Sequence, residues 1–408
     1  MKKIDKIKDA AEKKTISEFE KNNIIKTRSY KIDKKGHVTS LKFPTFTRID
    51  SKPPGIFKLI ENLKELKELR ATNNYLEKIE HLENLTQLKR LELKNNNIKK
   101  LEGLENLTQL LELVLKNNKI PKIEGLENLT QLKKLDLSTN LIKKIEGLDN
   151  LTKLQELDLI KNKITEISGL QNLSQLKKLS LDYNEINQIK ELDNLMQLEE
   201  LNLRKNKITK IERLDKLSQL QTLNLSANKI IKIEGLEQLK QLKKLDLHSN
   251  KISKLEGFEK IPQLLDLNVN INKISKIEGL DELSQLQRLS LDNNIIIKLE
   301  GLGNLSELIE LRAFNNNKIK KIEGLENLSK LIIFNISSYN LNQEDQDAYS
   351  KGAQAVVGYC KKRIIDGFIE EIEFLKTQMK MPGLKLADFE HFEKEIDEIS
   401  KKIKNYMN

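Results

Sequence analysis

The chain has 408 residues, of which 38% are hydrophobic and 33% are charged, so little apolar material is available for one thick globular core. The single cysteine, Cys360, excludes a disulfide framework and a zinc site built from several cysteines. No run of eighteen apolar residues occurs, and the charged start Met1–Asp5 lacks an apolar segment. We therefore expect no membrane span, no signal peptide and a cytoplasmic location, or a nuclear one in a eukaryote.

Residues 1–56 are predicted to form an N-terminal cap. An upstream helix precedes Leu41 and Phe43, which alternate like a strand and form an irregular first rung, and a loop follows at Pro53–Gly55. The net charge is +11, and residues 1–35 contribute +6, from 12 Lys/Arg against 6 Asp/Glu. This basic excess leaves an alternative function open, in which the N-terminal segment binds nucleic acid or an acidic membrane and the rest is a spacer.

A 22-residue repeat occupies residues 57–341 and predicts a solenoid of about 12–13 units. Each unit reads Leu-x-x-Leu-x-Leu-x-x-Asn-x-Ile-x-x-Ile-x-Gly-Leu-x-x-Leu, and the alternating Leu-x-Leu predicts a strand with leucines on one side. An asparagine amide both donates and accepts, so we expect it to bond the turn backbone of its own and the neighbouring coil. The asparagines that form this ladder are Asn74, Asn96, Asn118, Asn140, Asn162, Asn184, Asn206, Asn228, Asn250, Asn272 and Asn294.

The unit, represented by Ile-Glu-Gly-Leu-Asp-Asn-Leu-Thr at residues 145–152, resembles the leucine-rich repeat family. Within that family it is similar to the 22-residue subclass typified by the leucine-rich regulatory subunit of protein phosphatase 1. The resemblance implies an α/β solenoid, a right-handed horseshoe with a concave parallel β-sheet, short helical turns on the convex side and helical caps. It also implies a protein-binding scaffold, with a serine/threonine protein phosphatase as one partner that the chain would regulate.

Glycine occupies nine of twelve equivalent corners of the repeat, and the other three hold His81, Glu191 and Arg213. Because side chains with a Cβ are accepted there, we expect the corner to favour a tight backbone without strictly requiring a positive φ.

The repeat ends near Asn340, and two C-terminal segments follow. Residues 342–363 are predicted to form one capping helix. Residues 364–408 carry two apolar stripes at helical spacing, separated by Met381–Gly383, and predict a helical hairpin. The hairpin either closes on itself or the last rung, or it serves as an arm for docking or self-association.

The sequence lacks the motifs of catalytic and metal sites. It contains no phosphate-binding loop, zinc-protease motif or Gly-x-Ser-x-Gly element. Its four histidines are scattered without metal-ligand spacing. We therefore expect no enzyme, no cofactor and no metal.

The side chains of each strand that alternate with the leucines form columns on the concave face, which we predict as the binding surface. The first column alternates in sign through Glu68, Arg90, Glu112, Lys134, Glu156, Lys178 and Glu200, so neighbours can pair with one another. The central column is small, polar and mildly acidic, and Asp136 beside Asp158 predicts an uncompensated repulsion that a partner would relieve. The face as a whole is near neutral, which argues against nucleic acid as its ligand.

Bulky outliers in these columns are typical anchors of protein interfaces. The predicted partner-binding residues are Glu92, Asp136, Asp158, Ile160, Tyr183, Asn202, Arg204, Asn224, Asp246, His248 and Phe314. The function predicted from the sequence is a non-catalytic scaffold that holds a folded protein partner on this face.

Overall fold

The structure is a computed structural model, and it describes residues 2–22, 24–45, 57–316, 318–381 and 386–407. The chain divides into two compact units, Met1–Lys251 and Ile252–Asn408. The predicted loop at Pro53–Gly55 and the Pro382–Gly383 part of the predicted hairpin turn lie outside the described residues.

The first unit begins with a cap, in which helix α1 (Ala10–Lys21) precedes the antiparallel strands β1 (Tyr30–Ile32) and β2 (Val38–Lys42). Phe19 of α1 packs edge-on against Phe43, with ring centroids 5.7 Å apart. Three-residue strands of the repeats follow: β3 (Glu68–Arg70), β4 (Arg90–Glu92), β5 (Glu112–Val114), β6 (Lys134–Asp136), β7 (Glu156–Asp158), β8 (Lys178–Ser180), β9 (Glu200–Asn202), β10 (Thr222–Asn224) and β11 (Lys244–Asp246). From β2 to β11 the strands pair in chain order and in parallel.

Each coil buries its leucines against the next one. Leu157 of β7 lies directly beside Leu179 of β8, and both are 1% exposed. Behind the strands the chain makes consecutive i→i+3 turns: Leu151 N donates to Leu148 O at 3.0 Å and Leu154 N to Leu151 O at 2.9 Å. These are the short helical turns that the Leu-x-x-Leu spacing predicts. The predicted solenoid of stacked coils around a parallel sheet is confirmed.

The ladder asparagines bond the backbone of two neighbouring coils, as Asn162 illustrates. Its Nδ2 donates to Leu159 O of its own coil at 3.0 Å and to Leu137 O of the preceding coil at 3.1 Å, while its Oδ1 accepts from Ile142 N at 3.0 Å. Asn162 is 9% exposed, so the amide satisfies buried turn backbone that no sheet or helix reaches.

All twelve corners adopt a positive φ, which corrects the sequence-based expectation. Corner glycines have φ between 65° and 84°, while His81, Glu191 and Arg213 lie at 60°, 55° and 58°. A Cβ added at Gly235 would lie 2.6 Å from Ile211 O of the preceding coil. The corner therefore imposes the left-handed conformation on every occupant, at a cost of about 1–2 kcal/mol for a residue with a Cβ.

The second unit continues the same architecture. Its strands are β12 (Asp266–Asn268), β13 (Arg288–Ser290), β14 (Glu310–Ala313) and β15 (Ile333–Ile336), and they pair in parallel in chain order. Three helices follow: α2 (Gln343–Ser350), α3 (Ala353–Gln378) and α4 (Leu386–Met407).

The C-terminal helices differ from the predicted segments. The capping helix expected over residues 342–363 is divided, because Gly352 has a φ of 95° and ends α2, and α3 then runs on past residue 363. Fully buried Asp345 of α2 accepts from Ile322 N at 3.0 Å and lies 3.5 Å from the Arg363 guanidinium. Helices α3 and α4 pack on each other through their predicted stripes, with Leu375 and Ile399 buried.

Candidate protein-binding face

We define the outward face as the side chains of β3–β11, and of the two residues that follow each strand, that point away from the leucines. Its first column is paired internally. Lys134 Nζ lies 2.6 Å from Glu156 Oε2, and Lys178 Nζ lies 2.7 Å from Glu200 Oε1. Arg90 contacts the carboxylates of Glu68 and Glu112. Each exposed pair contributes only a few tenths of a kcal/mol, but together the pairs leave this column few free charges.

Four side chains of the central column bond the backbone that follows their own strand. Asp136 Oδ1 accepts from Ser138 N at 2.9 Å and from Ser138 Oγ at 2.6 Å, and Asp158 Oδ1 accepts from Ile160 N at 3.0 Å. Asn224 and Asp246 accept in the same way from the N–H two residues later, at 2.9 and 3.0 Å. Each carboxylate therefore has a backbone donor that stabilises its charge. Burial and the neighbouring charge of Asp136 nevertheless raise the pKa of Asp158, so part of the predicted repulsion persists.

The N–H two residues after Asn202, that of Arg204, donates to Asp182 of the preceding coil rather than to Asn202. It is 4% exposed, and its Oδ1 accepts from Arg204 N of the next coil at 2.9 Å. Burial raises the pKa of Asp182 to about 6, against the hydrogen bond from Arg204. Burial also raises the pKa of Asp158. Because Asp182 takes the Arg204 N–H, the buried Oδ1 of Asn202 has no hydrogen-bond partner among the described residues.

Glu92 belongs to a cluster of ion pairs. Its carboxylate lies 2.8 Å from Lys94 Nζ, 3.4 Å from Arg90 and 3.8 Å from Arg70, and its side chain is 7% exposed. Burial opposes ionisation, yet the hydrogen bond from Lys94 and the neighbouring arginines hold the pKa of Glu92 below its ordinary value. Glu92 is therefore a stabilising group of its own coil.

The bulky predicted residues keep exposed surface. Ile160, Tyr183 and His248 are half-buried, and Phe314, which belongs to the second unit, is 43% exposed. Tyr183 is surrounded by cations, with Lys161 Nζ, Arg204 Cζ and Lys205 Nζ at 5.5, 5.7 and 4.6 Å from its ring centroid.

Glu92 lies apart on β4, and Phe314 lies in the second unit. The consecutive strands β6–β11 and the residues that follow them carry the other predicted residues: Asp136, Asp158, Ile160, Tyr183, Asn202, Arg204, Asn224, Asp246 and His248. The sequence-based reasoning omitted Lys161 and Lys205. The sequence does single them out, because the position before the ladder asparagine holds an uncharged residue in all the remaining coils from Asn73 to Asn315.

Within the described part of the chain, no group of three or more His, Cys, Asp or Glu side chains is arranged to hold a metal ion. None of the described helices has the length and apolar character needed to cross a membrane.

Comparisons with known proteins agree with this architecture. Two family models match: "Leucine-rich repeat" over residues 179–298, and "Leucine Rich repeats (2 copies)" over residues 108–150 and 152–195. A search of curated proteins found no match.

Solved structures give the broader similarity. An internalin (InlF) from Listeria monocytogenes is 30% identical, with a TM-score of 0.64, and the match covers 71% of this chain and 86% of that one. A leucine-rich repeat protein of Leptospira interrogans is 28% identical, with a TM-score of 0.65 and coverage of 74% and 85%. The functional domain of InlJ from Listeria monocytogenes is 25% identical, with a TM-score of 0.61 and coverage of 75% and 64%.

Proposed function

The chain belongs to the leucine-rich repeat family, and from that premise we propose that it is a non-catalytic scaffold that binds a folded protein partner on the outward face. Proteins of this architecture generally present extended binding surfaces on their stacked strands. The observation that carries the proposal is the contrast within the face of the first unit. Glu92, Asp136 and Asp246 bond their own coils. By contrast, Ile160 and Arg204 on the face, and Tyr183 beside it, keep exposed surface, and among the described residues their side chains form no hydrogen bond or ion pair.

The test uses two matched substitutions of isoleucine. Ile160→Asp changes the outward face, and Ile231→Asp makes the same chemical change at a residue beyond the ladder asparagine that is 61% exposed. Immobilised full-length protein should capture a defined partner from native lysate, identified by mass spectrometry and then purified for direct titration. We expect Ile160→Asp to weaken binding at least about tenfold and Ile231→Asp to leave it unchanged. Thermal unfolding checks that both variants are folded. Equal binding by the two folded variants would show that the outward face is not the binding site.

A serine/threonine protein phosphatase is the first partner to test, because the 22-residue consensus is similar to that of a phosphatase regulatory subunit. Direct titration of a purified catalytic subunit, with phosphatase activity as a second readout, tests this finer proposal. Unaltered phosphatase activity and no binding would exclude the phosphatase while leaving the scaffold proposal intact. A cytoplasmic location stays a prediction, which imaging of the tagged chain would test.

Two other predictions stay open beside this proposal. The basic N-terminal segment is tested by titrating an oligonucleotide and anionic vesicles with and without residues 2–35 across a salt series. Lys3 is one cation that the cap already uses, since its Nζ donates to Thr27 O at 2.7 Å and lies 4.4 Å from the Tyr30 ring centroid. Self-association through α3 and α4 is tested by sedimentation with and without residues 364–408.

A further inference from the structure

One row of residues beside the outward face changes character in the middle of the first unit. We call it the ridge, and it consists of the residue before each ladder asparagine: Asn73, Asn95, Asn117, Thr139, Lys161, Tyr183, Lys205, Ala227 and Ser249. Only Lys161 and Lys205 are charged, and they lie on either side of Tyr183.

The backbone fixes the positions of these three residues. Each has a φ of 53–54°. Their N–H groups donate to the next coil, from Lys161 to Asp182 O at 2.8 Å, from Tyr183 to Arg204 O at 2.9 Å and from Lys205 to Ser226 O at 2.8 Å. Adjacent coils are about 4.8 Å apart, so the two lysines arise about 10 Å apart with the tyrosine between them. Such a preorganised platform reduces the entropy lost on binding.

The lysines of the ridge differ from two lysines on neighbouring coils, which are neutralised by carboxylates. Lys178 and Lys207 form ion pairs with Glu200 and Glu185 on adjacent coils, at 2.7 and 2.8 Å. Within the described residues, Lys161, Arg204 and Lys205 take part in no ion pair, and instead gather at 4.6–5.7 Å around the Tyr183 ring. Three cations around one aromatic ring repel one another, and an anion would remove that repulsion.

Asp182, an acidic residue next to Tyr183 in the chain, already accepts a backbone hydrogen bond. Asp182 lies beside Arg204 in space, but its Oδ1 accepts from the Arg204 backbone N–H and its side chain is buried. The charge of Arg204 is felt at Asp182. Lys161 and Lys205 are exposed.

We propose that Lys161, Tyr183 and Lys205, with Arg204 at the side, form a binding site for an acidic segment of the protein partner, in which a carboxylate or phosphate lies between the two lysines and the adjacent peptide group packs on the tyrosine ring. Lysine suits this role as a compact charge that does not require bidentate geometry. The aromatic ring supplies apolar contact area at a small entropic cost. The inference rests on the proposed scaffold function and names the chemistry of its ligand.

The experiment is a fluorescence-anisotropy titration of the full-length protein at low salt with three labelled probes: a glutamate-rich decapeptide, the same peptide with phosphoserine, and a single-stranded RNA of equal charge. We expect one of the peptides to bind, the double variant K161E/K205E to weaken binding by about tenfold or more, and Y183A to weaken it by about threefold. The ratio of the two peptide affinities distinguishes carboxylate from phosphate.

The control is K163E/K207E, which makes the same charge change at the same spacing, two residues further along the chain. We expect it to weaken binding by less than about twofold. Equal weakening by both double variants, binding by neither peptide, or tighter binding of the RNA would overturn the proposal. If those results accompany a partner whose capture depends on Ile160, the scaffold function stands and only the assignment of the ridge fails.

Discussion

Two positions one residue apart in each coil, the ridge and the ladder, have opposite roles. Asn162 is 9% exposed and donates to two coils, whereas the side chain of Lys161, one residue earlier, is exposed. The ladder residue is the same in coil after coil, and the ridge residue changes from Asn to Thr, Lys, Tyr, Ala and Ser. Stacking therefore constrains the side chains that bond the neighbouring coil, whereas the side chains of the ridge, which do not, are free to vary.

Substitutions at both positions test this difference in role. Asn162→Asp removes two donors to buried carbonyls and introduces a buried charge, so we expect a loss of about 3 kcal/mol in the free energy of unfolding. Lys161→Ala should change it by less than about 0.5 kcal/mol. Urea unfolding followed by circular dichroism measures both, and equal losses would show that the ladder amide has no special role.

Asp182 follows a strand on the outward side, yet its side chain bonds the backbone of the next coil, as the ladder asparagines bond a neighbouring coil. Its pKa of about 6 in the folded state lies above the ordinary value, so its ionised form is destabilising at neutral pH. Asp182→Asn keeps an acceptor for Arg204 N–H without the charge, and we expect the free energy of unfolding at pH 7 to rise by about 2–3 kcal/mol.

The pH dependence of this effect has a definite sign. A carboxyl whose pKa is raised on folding contributes most stability when protonated, so its penalty on the wild-type chain should fade as the pH falls from about 7 to about 4. The Asp182→Asn variant should lack this contribution. Asp182→Ala, which leaves the N–H unpaired, should be less stable than Asp182→Asn at both pH values. A stability difference between wild type and Asp182→Asn that does not vary with pH would contradict the assignment.

The corners give the smallest expected effects and opposite signs at equivalent positions. Gly235→Ala places a Cβ near Ile211 O at a positive φ, and we expect a loss of about 1–2 kcal/mol. Arg213→Gly relieves the same conformation and should stabilise the chain by about 0.5 kcal/mol, since the greater freedom of glycine in the unfolded chain offsets part of the gain. Thermal unfolding of the two variants checks the signs, and destabilisation by Arg213→Gly would show that the arginine side chain matters more than its backbone.

The sequence alone predicts the coil well and the face less well. A constant interval of 22 residues determines which leucines stack and where each strand lies. The direction in which a short polar side chain turns depends on competing donors that the pattern does not reveal, so the backbone hydrogen bonds of half-buried Asp136 and Asp158 were not predicted. The cations around Tyr183 were partly missed, because Lys161 and Lys205 lie outside the strand columns from which the face was predicted.

The C-terminal cap shows a second limit of sequence reasoning. Gly352 is a weak signal in a helical pattern, and only its φ of 95° reveals the end of one helix and the start of another. Asp345, a residue with no repeat signature, takes the Ile322 N–H with its buried carboxylate. This contact depends on a long-range approach that periodicity cannot anticipate.

The alternating charges of the first column bear on how such a uniform chain avoids misfolding. Nearly identical coils could stack with one coil omitted and still bury their leucines, because every coil offers the same apolar surface. An omission would place Glu156 beside Glu200, or Lys134 beside Lys178, where the native order sets a lysine against a glutamate. The column therefore disfavours arrangements in which a coil is skipped, which the hydrophobic core cannot do because its leucines are the same in every coil.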